Sequence, residues 1–200
     1  KLIHEFYSFI NHYFTIQCSF FPNLTTYMLN NLLMEGKKRN KEEFIDLIEK
    51  NKGIIHKVAL TYCSNKSDKE DLYQEICLQL WRSYGNYRGD SRISTWLYRV
   101  ALNTAISTLR KRNRFIETVE LDPERHYQVK DTEKLESTNN LMKAIYRLDN
   151  IDRAIILLWL EEKKYDEISE ITGLSKSAVS VRLVRVRKKL EENLKRIENE

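Results

Sequence analysis

Apolar side chains recur at helical spacing along most of the chain. From Lys41, Phe44, Ile45, Leu47, Ile48, Ile54, Ile55, Val58 and Leu60 mark one amphipathic helix, weakened in its middle by Gly53. The polar tract Ser64–Ser67 breaks the pattern. Asp68, followed by Asp71, is the expected N-cap of a second helix, in which Leu72, Ile76, Leu80, Trp81 and Tyr84 share a face. Gly85 and Gly89 bracket a polar loop, and Ser94 or Thr95 is the expected cap of a third helix. That helix carries Trp96, Leu97, Val100, Ala101, Ala105, Ile106 and Leu109 and runs to the basic tract Arg110-Lys111-Arg112.

Periodicity disappears over residues 115–138, which hold seven acids against three bases together with Pro123, and read as a solvated, flexible linker. It resumes near Asn139 with Leu141, Ala144, Ile145, Leu148, Ile151, Ile155, Leu158 and Trp159. The expected fold class is therefore all-α: two small helical domains, 40–114 and 139–196, joined by an acidic linker. Residues 1–39 form a separate, aromatic-rich extension. Its first 34 residues hold only Lys1 and Glu5 as full charges, with Ile3, Phe6, Ile10, Phe14 and Phe21 at helix-like spacing. His4, Glu5, Asn11, His12 and Gln17 interrupt any membrane-length apolar run, and no basic, signal-like start precedes it. It reads as sequence upstream of a start at Met28 or Met34.

Composition narrows the class. Five Gly and two Pro in 200 residues exclude turn-rich β-sandwiches and low-complexity chains. Cys18, Cys63 and Cys77 are odd in number and form no Cys-x-x-Cys, which suits a reducing, cytoplasmic setting. The four histidines stand far apart, so no metal site is expected, and no phosphate loop or other cofactor motif is present. Thirty-four Lys+Arg against 29 Asp+Glu give a net charge of +5, a mild bias toward a polyanionic partner.

The sharpest local signal is YDEISEITGLSKSAVSVRLVRVRKKL, residues 165–190. A short helix ends at Gly173, Leu174 turns inward, and Ser175 caps a second helix. Ile168, Leu174, Val179 and Leu183 supply the apolar lock, and Ser169 the small residue at the crossing. This is a helix-turn-helix layout. The first helix holds Asp166, Glu167 and Glu170. The stretch 176–190 holds Lys176, Arg182, Arg185, Arg187, Lys188 and Lys189 without an acid, as a groove-entering helix requires. Ser180, Val181 and Val184 flank the arginines. Arg182 and Arg185 are the candidate base readers, and Arg187, Lys188 and Lys189 the candidate phosphate contacts.

A second constellation is LWRSYGNYRGDSRISTWLYRVALNTAISTLRKRNR, residues 80–114. Trp81, Tyr84, Tyr87, Trp96 and Tyr98 interleave with Arg82, Arg88, Arg92 and Arg99, a composition suited to unstacked single-stranded bases. Trp81 and Trp96 also serve as core candidates.

The segment EDLYQEICLQLWRSYGNYRGDSRISTWLYRVALNTAI resembles region two of bacterial sigma factors, and 165–190 resembles their region four. Order and spacing are similar to the extracytoplasmic-function group of the sigma-70 family. The resemblance spans about residues 40–196. It implies a non-enzymatic subunit that binds core RNA polymerase at its clamp helices and flap, recognises promoter DNA and helps to melt it. An anti-sigma factor is a further partner of the kind this family uses. By the same resemblance, Asp71, Gln74 and Glu75 face the polymerase. Tyr87, Arg88, Asp90, Ser91 and Arg92 lie in the loop that captures a flipped minus-ten base. Trp96, Arg99 and Asn103 lie on the helix that reads and melts that element. Lys176, Ser177, Ser180, Val181, Arg182, Val184, Arg185, Arg187 and Lys188 serve the minus-thirty-five element. Two departures stand out. Arg99 and Val100 occupy the place of the paired tryptophans of housekeeping sigma factors, which implies weaker intrinsic melting. Ile93 replaces the usual Phe. The alternatives are a helix-turn-helix regulator with an N-terminal sensor domain, which would need holoenzyme, and a nucleic-acid enzyme, for which no metal or carboxylate motif exists.

Overall fold

The computed structural model describes residues 38–118 and 136–199. The extension with Met28 and Met34, Cys18, and most of the acidic linker lie outside the described residues. Among the described residues there are seven helices and no strand: α1 Lys38–Tyr62, α2 Lys66–Tyr84, α3 Ile93–Thr118, α4 Glu136–Tyr146, α5 Asn150–Leu160, α6 Tyr165–Thr172 and α7 Lys176–Glu198.

The helices form where the apolar spacing demands them. In α1 Phe44, Ile48, Ile55, Val58, Ala59 and Tyr62 point inward, and the helix continues through Gly53 because both flanks are packed. They meet Leu72, Ile76 and Leu80 of α2 and Leu97, Ala101 and Ala105 of α3, where the two alanines let the helices approach closely. Phe44 closes one end against Trp81 (5.1 Å between ring centroids) and Tyr84 (5.2 Å). In a second bundle α4, α5 and α6 pack on α7 around Ile145, Ile155, Leu158, Ile168, Val179, Leu183 and Val186.

Three boundaries differ from expectation. The cap of α2 is Asn65, not Asp68: its Oδ1 accepts the Asp68 backbone N–H at 2.8 Å, and its amide donates to the Asp68 carboxylate at 2.6 Å. α3 begins at Ile93, before Ser94 and Thr95, and Thr95 is buried. α3 also runs past the basic tract to Thr118, and α4 starts at Glu136, so helix enters the expected linker from both sides.

Cys63 and Cys77 are buried free thiols, and burial raises them to about 11 and about 12. Thiolate is the reactive form. Native chain treated with an alkylating agent at pH 8 should therefore leave both unmodified when peptides are mapped. Rapid modification of either would contradict this packing.

Candidate nucleic-acid and polymerase interfaces

The turn between α6 and α7 is built by three residues. Gly173 takes φ +74, a conformation other residues reach only with strain. Ser169 donates to the Leu174 carbonyl at 2.5 Å, so the small crossing residue also ties the turn. Ser175 accepts the Ala178 N–H at 3.2 Å and caps α7. Ile168, Val179 and Leu183 are buried beneath, and Lys176 pairs with Asp166 at 2.8 Å.

The basic residues of α7 divide by face. Arg182 donates from Nε to Asp152 Oδ1 at 2.6 Å, and Lys189 reaches Asp152 Oδ2 at 3.0 Å and Asp149 at 3.5 Å. The Arg187 guanidinium lies 4.9 Å from the Trp159 ring centroid. Arg185 and Lys188 are exposed beside Ser177, Val181 and Val184, while Ser180 is half-buried. Arg182, expected as a base reader, is thus committed to a carboxylate of its own bundle.

Sequence reasoning missed Asp152, only 2% exposed. Burial pushes its carboxyl up, but hydrogen bonds and charge from Arg182 and Lys189 outweigh this and hold it below the ordinary carboxylate value. The available signal was an acid sharing a helix face with Ile155, Ile156 and Trp159.

On the other bundle, Tyr87 folds the α2–α3 loop back on itself. Its hydroxyl donates to the Ser91 carbonyl at 2.6 Å, and its ring lies 5.1 Å from that of Trp96. Gly89 permits the reversal at φ +80. Arg88, Asp90 and Arg92 are exposed on this loop. Arg92, Trp96, Arg99 and Asn103 follow i, i+4, i+7, i+11 spacing and so form one stripe down the start of α3. On α2, Asp71, Gln74 and Glu75 share a face by i, i+3, i+4 spacing. Asp71 is exposed, and Glu75 accepts the Gln79 amide at 2.8 Å.

The two bundles also touch, which no sequence pattern announced. Glu161, just after α5, pairs with Lys57 of α1 at 2.7 Å and accepts the Tyr98 hydroxyl of α3 at 3.0 Å. Tyr62 donates to the Asn150 carbonyl at 2.6 Å, and Tyr146 to the carbonyls of Leu60 and Cys63 at 2.8 and 2.9 Å. Two members of the α3 stripe face α6. Arg99 meets Glu170 through its carbonyl at 2.9 Å and its carboxylate at 3.5 Å, and Arg92 lies 3.6 Å from Glu167.

A basic helix-turn-helix beside a separate aromatic–arginine face is the arrangement of a DNA-binding protein. The description "Sigma-70 region 2" matches residues 47–115, and "Sigma-70, region 4" matches 138–190. RNA polymerase sigma factor SigV of Bacillus subtilis (strain 168) is 32% identical over 162 residues, covering 78% of this chain and 93% of the relative. ECF RNA polymerase sigma factor SigW of the same organism is 25% identical over 189 residues, covering 84% and 97%. The sigma factor RpoE, solved in complex with the anti-sigma factor NepR from Bartonella quintana, shares the fold. Its TM-score is 0.59 at 22% identity, with 80% of this chain and 98% of that chain covered. The chain belongs to the sigma-70 family of RNA polymerase sigma factors, in its extracytoplasmic-function group, and acts in transcription initiation.

Proposed function

We propose that the two bundles are the two working domains, 40–114 and 139–196, and that their exposed stripes divide the promoter between them. Asp71, Gln74 and Glu75 dock on core polymerase. The Tyr87–Arg92 loop takes a flipped minus-ten base, with Trp96, Arg99 and Asn103 beside it. The outer face of α7 takes the minus-thirty-five element, with Arg185 in the base-reading role and Arg182 as a positioning residue held by Asp152. The subunit performs no chemistry of its own. An anti-sigma factor, such as the one seated on RpoE, is a further partner. The observation that carries the reading is the single stripe of Arg92, Trp96, Arg99 and Asn103 beneath a loop closed by Tyr87.

Glu167 and Glu170 occupy part of that stripe, so engaging a minus-ten strand requires α6 to leave α3. Separated bundles can then reach both elements. The 17 residues between α3 and α4 (119–135) span at most about 60 Å, close to the roughly 60–70 Å between elements about 17–20 base pairs apart, and the breadth of the bundles themselves makes up the rest.

The test is transcription by core polymerase plus the purified chain on a promoter library, with melted thymines read by permanganate. Arg99→Glu should abolish melting while the upstream contact persists. Asp71→Lys should lower the yield of holoenzyme. Unchanged melting by Arg99→Glu would refute the assignment of α3.

A further inference from the structure

We propose that Val181 and Val184 read the 5-methyl groups of thymines in the upstream promoter element. The inference rests on the reading of α7 as the helix that contacts this element, and it assigns the chemistry of that contact.

Successive faces of α7 are already occupied. Val179, Leu183 and Val186 are buried in the bundle. One flank is drawn toward α5 by Asp152 and Asp149, which hold Arg182 and Lys189. The other flank lies against α5 through Arg187 on Trp159. Directly opposite the buried face, Ser177, Val181, Val184 and Lys188 follow i, i+4, i+7, i+11 spacing and make a single line. The two valines in its middle are 53% and 68% exposed, the most exposed large hydrophobics among the described residues.

Two neighbouring valines there are unfavourable for the free chain. A β-branched side chain lowers helix propensity, and no described residue covers this hydrocarbon. Their surroundings name the occupant. Arg185 and Lys188 are exposed beside them, so the partner must be polyanionic at its rim and apolar at isolated points. A protein interface has a contiguous apolar core inside its polar rim, and two valines set among Ser177, Arg185 and Lys188 do not make one. The major groove of DNA suits it: phosphates line its edges, and the thymine methyl is the apolar group presented among its base edges. Residues three apart on a helix place their Cβ atoms roughly 5–6 Å apart. That matches one or two base steps of about 3.4 Å each. The two methyls therefore belong to adjacent or next-adjacent base pairs. The stripe is open even while the bundles touch, so this contact does not wait for them to part.

The test uses holoenzyme assembled from the full chain and core polymerase. Promoters are selected from a pool randomised in the upstream element. Each thymine of that element is then replaced singly by deoxyuridine, which removes the methyl and nothing else. Binding should fall about fourfold at one or two nearby positions, the worth of one methyl group withdrawn from water. Val181→Ala and Val184→Ala should each erase the thymine–uracil difference at its own position. Both are exposed substitutions to a better helix former, so folding is retained. Equal binding of every thymine and uracil duplex would overturn the proposal. So would variants weakened equally on both duplexes, which would point to a protein partner instead. If holoenzyme assembles but selects no upstream element, the reading of α7 itself fails and this inference with it.

Discussion

Taking the protein from pH 7 to pH 4 should remove about 3 kcal/mol of stability through one side chain, His56. His56 stacks on Tyr73 with 4.4 Å between ring centroids, joining α1 to α2. Burial, and then the Lys52 ammonium, push its imidazole from 6.5 down to about 4, against an opposing pull from Glu49. The unfolded chain takes up this proton near its ordinary value and the folded chain does not. Stability is therefore complete above about pH 6.5 and is lost progressively down to about pH 4. Each pH unit in that window is worth about 1.4 kcal/mol. Urea unfolding of the wild type and of His56→Phe, which keeps a ring against Tyr73, checks this. The variant should show a flatter profile between those limits, and parallel profiles would rule the assignment out.

Asp152→Ala is the second large effect. Breaking a buried ion pair by removing one partner costs about 3–5 kcal/mol. Here the Arg182 side chain is 38% exposed and can turn to water, so roughly 2 kcal/mol is expected. The larger consequence is positional. Arg182 loses its hold on α5, and the exposed stripe of α7 becomes less fixed. Thermal melting should drop, and minus-thirty-five binding by holoenzyme should weaken, with Asp152→Glu recovering part of both. The depressed Asp152 carboxyl contributes stability that is present above its unfolded value, near 3.9, and is lost as pH falls through the folded one. Wild type and Asp152→Ala should therefore converge in strong acid. An undiminished melting temperature in the variant at neutral pH would show that the pair is not holding the bundle together.

Much of this architecture was legible because local chemistry and burial agree. Gly173 and Ser175 sit where a left-handed turn and a cap are needed, and the apolar period between them has only one packing solution. The cap of α2 was misread because Ser64, Asn65, Ser67 and Asp68 are all competent caps. What decides is where α1 ends, and the Cys63 N–H still bonds to the Ala59 carbonyl at 2.9 Å. The end of α5 was also hidden. Glu162 adopts φ +54 there without being glycine, while its N–H bonds to the Trp159 carbonyl and that of Lys163 to Leu158. The contacts between bundles were invisible for a different reason. Tyrosine hydroxyls reaching carbonyls more than 80 residues away leave no periodic trace. For the site, the stripes on α3 and α7 could be read as helical spacing, but which arginines were already engaged could not.

Glu161 holds a helix from each half of the region-two bundle, α1 through Lys57 and α3 through Tyr98. Any ligand that needs the halves of this molecule apart must first spend part of its own affinity on that carboxylate and its neighbours. A chain shut 99 times in 100 would bind such a ligand about a hundredfold more weakly than its open form does. A small change at residue 161 would thus move the concentration at which any such ligand takes hold, with no change in either gripping surface.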